Sequence, residues 1–209
     1  MIDKIELEIV KRYSSLAEDT GCLSCGGAVN YVDAREGELC LDIGCGRGND
    51  VLMLAQIVGD HGKVYGIDIT PEMIEKAKKT AEKLNIHNVE FINSSIEKLP
   101  FEDNFFDLII SNCTINHIKN KQQMWNEIYR VLKPGGRFVI SDIYAYEKID
   151  EIYSSNPELV AECWAGAVTK DEYMKHIMNA GFMKVELLEE SKPYTKGKAI
   201  VCSFTIRSF

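Results

Sequence analysis

The sequence predicts an α/β fold built on a largely parallel sheet, on three observations. Apolar runs alternate with helical patterns from Glu38 onward, a glycine cluster directly follows the first buried run, and two strand-like runs close the chain. Strand and helix in turn imply βαβ units, whose sheet is covered on both faces.

The elements follow in order. Ile5, Leu7, Ile9, Val10, Tyr13 and Leu16 fall near helical spacing and predict an amphipathic helix within residues Ile2 to Glu18, lying on something else. Thr20, Gly21, Gly26, Gly27 and Asn30 break that pattern, so Asp19 to Gly37 reads as a loop or short helix. Strands and helices then alternate: Leu39 to Ile43 and Asp50 to Val58; Lys63 to Ile69 and Pro71 to Leu84; Val89 to Ile92; Phe106 to Ser111 and Lys121 to Leu132; Arg137 to Ile143. Thr70-Pro71-Glu72 offers an N-cap followed by proline at the first helical position, and Lys133-Pro134-Gly135-Gly136 stops a helix and turns the chain. A last helix, Thr169 to Ala180, is stopped by Gly181, and Lys184 to Leu188 and Ala199 to Ile206 read as closing strands.

With 209 residues, 45% of them hydrophobic, the chain is long enough for one large α/β domain over 1–209, a helical, lid-like segment over 1–37 preceding a core over 38–209. Disordered and disulfide-scaffold classes are excluded. A formal charge of −8 with no dominant basic stripe argues against nucleic acid as a partner. The 7 cysteines are odd in number and not at staple spacing, which implies reduced thiols. No apolar run approaches the ~18 residues needed to span a bilayer, and Met1 to Val10 lacks the pattern of a secretory leader. The expected location is cytoplasmic, with no membrane partner. Oligomeric state is not readable.

The sharpest local signal is Leu41-Asp42-Ile43-Gly44-Cys45-Gly46-Arg47-Gly48-Asn49-Asp50, a buried strand running through glycines into a helix. Gly44, Gly46 and Gly48 permit a tight turn and close approach of a ligand to a helix start that presents free N–H groups. Spacing selects the ligand class: a dinucleotide fingerprint needs its third glycine where Asn49 stands, and no Lys-Ser/Thr pair follows as in a P-loop. The next strand ends in Asp68, placed to take the hydroxyls of a ribose, so the pair of features reads as a nucleoside bound across strand ends.

Together with Leu99-Pro100-Phe101 after the third strand and Leu132-Lys133-Pro134-Gly135-Gly136 before the fifth, these motifs resemble the class I S-adenosylmethionine-dependent methyltransferases. The resemblance implies a Rossmann-like, seven-stranded, mostly parallel sheet with an antiparallel last strand. S-adenosylmethionine would be the cofactor. Asp42, Gly44, Gly46 and Gly48 would line its methionine part, Asp68 would hold the ribose, and Ile69 and Met73 would flank adenine. Ser95, where many relatives have an acid for the adenine amine, Ile96 and Ser111 complete the implied set.

The acceptor edge of that fold is built by the end of the fourth strand and an insertion after the fifth, here about 144–168. Those places read Ser111-Asn112-Cys113-Thr114-Ile115-Asn116-His117 and Glu162-Cys163-Trp164-Ala165-Gly166-Ala167, and they resemble arsenite methyltransferases within the larger family. Soft thiolates select soft centres such as As(III). The resemblance implies that Cys113 and Cys163 ligate As(III), with Cys25 as third ligand and Cys22 as a substitute or relay, and a small thiol as reductant. No resident metal is expected.

Other readings stand beside these. Cys40, Cys45 and Cys202 suit core positions, and Cys113 and Cys163 could be fillers likewise. Cys22-x-x-Cys25 could be half a zinc site or a redox pair. His117 could be a general base, with Glu162 its partner, if the acceptor is the O, N or C of a small metabolite. A non-catalytic binder of cofactor or metalloid is the third possibility. Lys76, Lys78, Lys79 and Lys83 read as a solvated helix face.

Overall fold

The computed structural model describes residues 3–19 and 27–209. The sheet runs in the order β3 (Val89–Asn93), β2 (Lys63–Asp68), β1 (Leu39–Ile43), β4 (Phe106–Asn112), β5 (Leu132–Ala145), β8 (Ala199–Ser208), β6 (Val185–Glu190). The first five strands are parallel, and β8 runs antiparallel to both β5 and β6. This is the expected Rossmann-like architecture with one addition. A short strand, β7 (Tyr194–Lys196), pairs with β8 as a hairpin, making eight strands where seven were implied.

Strand alternation builds a core on each face. Leu41, Ile43, Ile109, Phe138 and Ile140 pack with α4 (Lys121–Val131) and α7 (Lys170–Ala180), where Trp125, Ile128, Tyr173 and Ile177 are buried. Cys40, Val64, Leu108, Ile110 and Val139 face the opposite way, against Val51, Leu54 and Ile74 of α2 (Asn49–Val58) and α3 (Pro71–Leu84). Cys40 and Cys202 are buried in these layers.

Two local expectations change. The helix expected to reach Leu132 ends at Val131, and Leu132 already pairs with Phe106; proline at 134 disfavours helical backbone just before it. Thr70 stands at the N-cap of α3 without a side-chain cap. Its backbone N–H donates instead to Asp68 Oδ1, at 2.8 Å.

Two pieces lie outside the sheet layers and cover the strand ends. The insertion after β5 folds into two short helices, α5 (Glu151–Ser154) and α6 (Pro157–Ala161), and a 3-10 turn, Trp164–Gly166. The N-terminal helix α1 (Lys4–Leu16) carries a capping box between Asp3 and Glu6 and packs against α6 and α3. Buried Arg137 of β5, bonded to Asp33 and to both carboxylate oxygens of Glu38, anchors the segment after the 3-10 turn Ala28–Tyr31.

Candidate active site

A cavity of about 380 Å³ opens over the ends of β1, β2 and β4, roofed by α1. Its roof follows from helical spacing: Ile5, Ile9 and Tyr13 recur every four residues and all line the cavity. Polar contacts hold the roof down. Glu6 Oε1 accepts from Ser95 Oγ at 2.6 Å, Ser14 Oγ donates to Glu72 at 2.7 Å, and Tyr13 OH lies 3.2 Å from His117 Nε2.

The floor is the glycine loop. Gly44 and Cys45 donate their N–H groups to Ile67 O at 2.8 and 3.0 Å, and Gly46 N–H donates to Asp68 Oδ2 at 2.9 Å, folding the loop onto β2. Gly44 and Gly46 have positive φ, 73° and 51°, where a side chain is strained. They differ in surroundings. A Cβ on Gly44 would sit 2.1 Å from Thr114 Oγ1, whereas a Cβ on Gly46 would meet nothing within 4 Å and would project into open space of the cavity.

Of the residues implied by resemblance, Asp42, Gly44, Gly46, Asp68, Ile69, Met73, Ile96 and Cys113 line this cavity. Gly48, Ser95, Ser111 and Cys163 do not. Gly48 begins α2 against Phe91 and Ala77, Ser95 is engaged by Glu6, and Ser111 is fully buried with its hydroxyl donated to Ile43 O at 2.8 Å. Cys45, expected in the core, is buried yet lines the cavity. Tyr13, Arg47, Asp50, Thr70 and Asn112 line it too, and none of them was assigned a role in the site from sequence.

Electrostatics state what the cavity wants. Asp42, Asp50 and Asp68 crowd its floor; burial pushes all three carboxyls upward, and Asp42 is pushed further by the charges of the other two. Asp3, Glu6 and Glu97 add acid against Arg47 and Lys119. A cationic ligand relieves that crowding, and open space beside Gly46 leaves room for one. S-adenosylmethionine, with a sulfonium and an ammonium, suits this donor set; Ile69, Met73 and Ile96 add apolar lining.

Two segments bring Cys113 and Cys163 together. Cys113 follows β4 and donates its N–H to Ser141 O at 2.9 Å; Cys163 follows α6 and donates its N–H to Val160 O at 2.8 Å. Both thiols are buried in one cluster with Ile143, Trp164 and Val201, and Cys163 Sγ lies 3.9 Å from Cys113 O. The approach depends on Gly166, because a Cβ there would lie 2.0 Å from Asn116 O in the Cys113 segment. Asn116 in turn ties that segment to β5, donating to Asp142 Oδ1 at 2.8 Å and Ile143 O at 2.7 Å.

Both cysteines have left-handed backbone, φ 53° for Cys113 and φ 75° for Cys163. The other non-glycine residues with positive φ among those described are Asn85 and Asn104, a type that tolerates it. For cysteine the conformation costs about 1–3 kcal/mol each, and such strain clusters at functional sites.

His117 is no free base. Val160 O can only accept, so Nδ1, 3.0 Å away, carries the proton; Nε2 then accepts from Tyr13 OH. Burial pulls the imidazole down to about 4, so it is neutral at pH 7. Tyr13 is held up, by burial first and then by the nearness of Cys163 and Cys113. Glu162 accepts from Trp164 Nε1 at 2.8 Å. The expected Glu162 and His117 pair is thus engaged elsewhere on both sides.

Cys22 and Cys25 lie outside the described residues. Ala28, three residues after Cys25, donates its N–H to Asn112 Oδ1 at 3.0 Å, next to Cys113. Among the described residues no group of three His, Cys, Asp or Glu side chains could hold a metal ion. No helix among them is long and apolar enough to cross a membrane.

Residues 34–181 match the family model described as a methyltransferase domain. An arsenite methyltransferase of Halobacterium salinarum is 39% identical over 165 residues, 79% of this chain and 42% of that protein. The chain therefore spans well under half of that relative's length. A demethylmenaquinone methyltransferase of Oceanobacillus iheyensis is 29% identical, over 90% of this chain and 83% of that protein. The crystal structure of an arsenic(III) S-adenosylmethionine methyltransferase from Chlamydomonas reinhardtii matches with TM-score 0.78 and 32% identity, over 96% of this chain and 73% of that one.

Proposed function

Since this chain belongs to the S-adenosylmethionine-dependent methyltransferases, we propose that it methylates As(III) held as a thiolate complex by Cys113 and Cys163. The observation that carries this reading is the pair itself: two cysteines from separate elements in strained backbone, Cys113 on the cavity wall and Cys163 buried beside it with its sulfur 3.9 Å from Cys113 O. Packing alone gives no reason for that strain, since a filler thiol fits relaxed backbone equally well.

Bound on the glycine loop, S-adenosylmethionine supplies an electrophilic methyl group on a sulfonium sulfur. The chain's own residues do the rest. Asp42, Asp50 and Asp68 hold positive charge, and Gly46 leaves the space. Cys113 and Cys163 bind arsenic as thiolates, leaving the lone pair of a pyramidal centre to act as nucleophile. No general base is required, in keeping with a neutral, fully engaged His117. Ile5, Ile9 and Tyr13 close the roof and exclude water.

A third thiolate from Cys25 is favoured by the Ala28 to Asn112 tether, which leaves only three residues of chain between Cys25 and a group beside Cys113. A small thiol as reductant, and a reducing compartment such as the cytoplasm, follow from the need for free thiols. An organic acceptor, as in the demethylmenaquinone relative, needs a proton acceptor at this edge, and His117 and Glu162 are already engaged.

The test is turnover. Purified protein with S-adenosylmethionine, arsenite and glutathione is expected to form methylarsenicals, and Cys113→Ser and Cys163→Ser to form none. No product from wild type, or undiminished product from Cys113→Ser, overturns the reading.

A further inference from the structure

Six acids line the cavity over the strand ends, and four of them are engaged. Asp3 accepts from Glu6 N–H, Glu6 from Ser95 Oγ and Asp3 N–H, Asp50 from Asn112, and Asp68 from the N–H groups of Gly46 and Thr70. The carboxylates of Asp42 and Glu97 form no hydrogen bond or ion pair with any described residue. These two stand apart. Asp42 is in β1 under the glycine loop, whereas Glu97 follows β3, two strands away in the sheet order. At the usual strand spacing, the two strand ends are about 10 Å apart.

The place of Glu97 is fixed by local bonds. Asn93 Nδ2 and Ser94 N–H both donate to Asp68 O, at 3.0 and 3.1 Å, and tie the end of β3 to the end of β2. Ser95 Oγ accepts from Glu97 N–H at 3.4 Å while donating to Glu6, so the turn that carries Glu97 is pinned to the roof. The cavity lining that belongs to these two strand ends is otherwise apolar at Ile69, Met73 and Ile96. Burial pushes the Glu97 carboxyl upward, and Glu6 and Asp3 push it further. Lys119 opposes them only at range; it lies on the wall shared with a second, basic cavity of about 270 Å³ that also holds Lys121 and Lys148.

A carboxylate accepts hydrogen bonds and cannot donate them. Half-buried and unpartnered beside apolar side chains, Glu97 suits a ligand that brings its own donor. The cofactor divides in the same way as the cavity. Its ammonium and sulfonium suit the aspartates at the glycine loop, and its far end is a flat base whose exocyclic group is an amine.

We propose that Glu97 is the residue by which this chain reads the base of its cofactor, its carboxylate accepting a hydrogen bond from the exocyclic amine of adenine. A purine with a carbonyl in that place sets acceptor against acceptor and leaves the carboxylate unpaired. The assignment holds whatever the methyl acceptor is.

S-adenosylhomocysteine and S-inosylhomocysteine differ only at that edge of the base. In titration calorimetry the wild type is expected to bind the first roughly thirtyfold more tightly than the second. Glu97→Gln, whose amide can turn its N–H to a carbonyl, is expected to bring that ratio to about threefold or less. Glu97 breaks no bond when replaced, so the variant is expected to unfold at or above the wild-type temperature.

Equal affinities in the wild type, or a ratio that survives in Glu97→Gln, overturns the proposal. A ratio kept in Glu97→Gln and lost in Glu6→Gln, where glutamine preserves the capping box, gives the role to the roof acid and overturns it as well. No binding of S-adenosylhomocysteine by the wild type overturns the cofactor site and this assignment with it.

Discussion

His117 shows how much one side chain joins here. Its ring receives Tyr13 of the roof on one nitrogen and holds Val160 on the other, and Val160 O also accepts the N–H of Cys163. The roof and the second thiol therefore share a carbonyl through one neutral imidazole. Burial pulls that imidazole from an ordinary 6.5 to about 4, so between these values the unfolded chain binds the proton and the folded chain does not. Stability from this group is full above the unfolded value and is lost as pH falls toward the folded one. Wild type is expected to lose about 2 kcal/mol relative to His117→Gln between pH 7 and pH 5, read by urea denaturation of both proteins at each pH. A difference that does not change with pH contradicts the buried neutral ring. The upward-shifted aspartates act in the opposite direction in both proteins and cancel in the comparison.

At the scale of elements, the glycine loop and the thiol segments differ in how they were written. Strand β1, the three glycines and Asp68 were legible because alternation and a fixed spacing encode them locally. What separates Gly44 from Gly46 was not legible, because Thr114 approaches from seventy residues away in the chain. That difference gives a prediction. Gly46→Ala is expected to fold, at a cost of about 1–2 kcal/mol for its backbone, yet to lose S-adenosylmethionine binding in calorimetry because the methyl fills the cavity. Gly44→Ala is expected to lose cooperative unfolding, as its methyl meets Thr114. Wild-type cofactor affinity in Gly46→Ala contradicts the assignment of the floor. The insertion was equally opaque: α5 and α6, of 4 and 5 residues, are too short to show a period. Its eventual support is tertiary, with Trp164 packed beneath the turn at Gly197 of the unforeseen β7–β8 hairpin.

Across the whole molecule, the sheet holds an acidic cavity and a basic one side by side at the end where β1, β4 and β5 finish. The parallel order of the strands brings Cys113 beside the glycine loop, and the crossover after β5 brings Cys163 back over it. Composition had shown only an acidic chain, because net charge averages over two pockets of opposite sign. The thiol pair was legible by resemblance and its left-handed backbone was not; the roof was legible as an amphipathic, lid-like helix, but not which of its side chains face the cavity. The proposed chemistry turns on what those two sulfurs hold. Arsenic X-ray absorption on protein loaded with equimolar arsenite measures it directly: a first shell of sulfur is expected in wild type, with oxygen entering in Cys113→Ser and in Cys163→Ser. An oxygen shell in wild type, or the same sulfur shell in all three proteins, would contradict it.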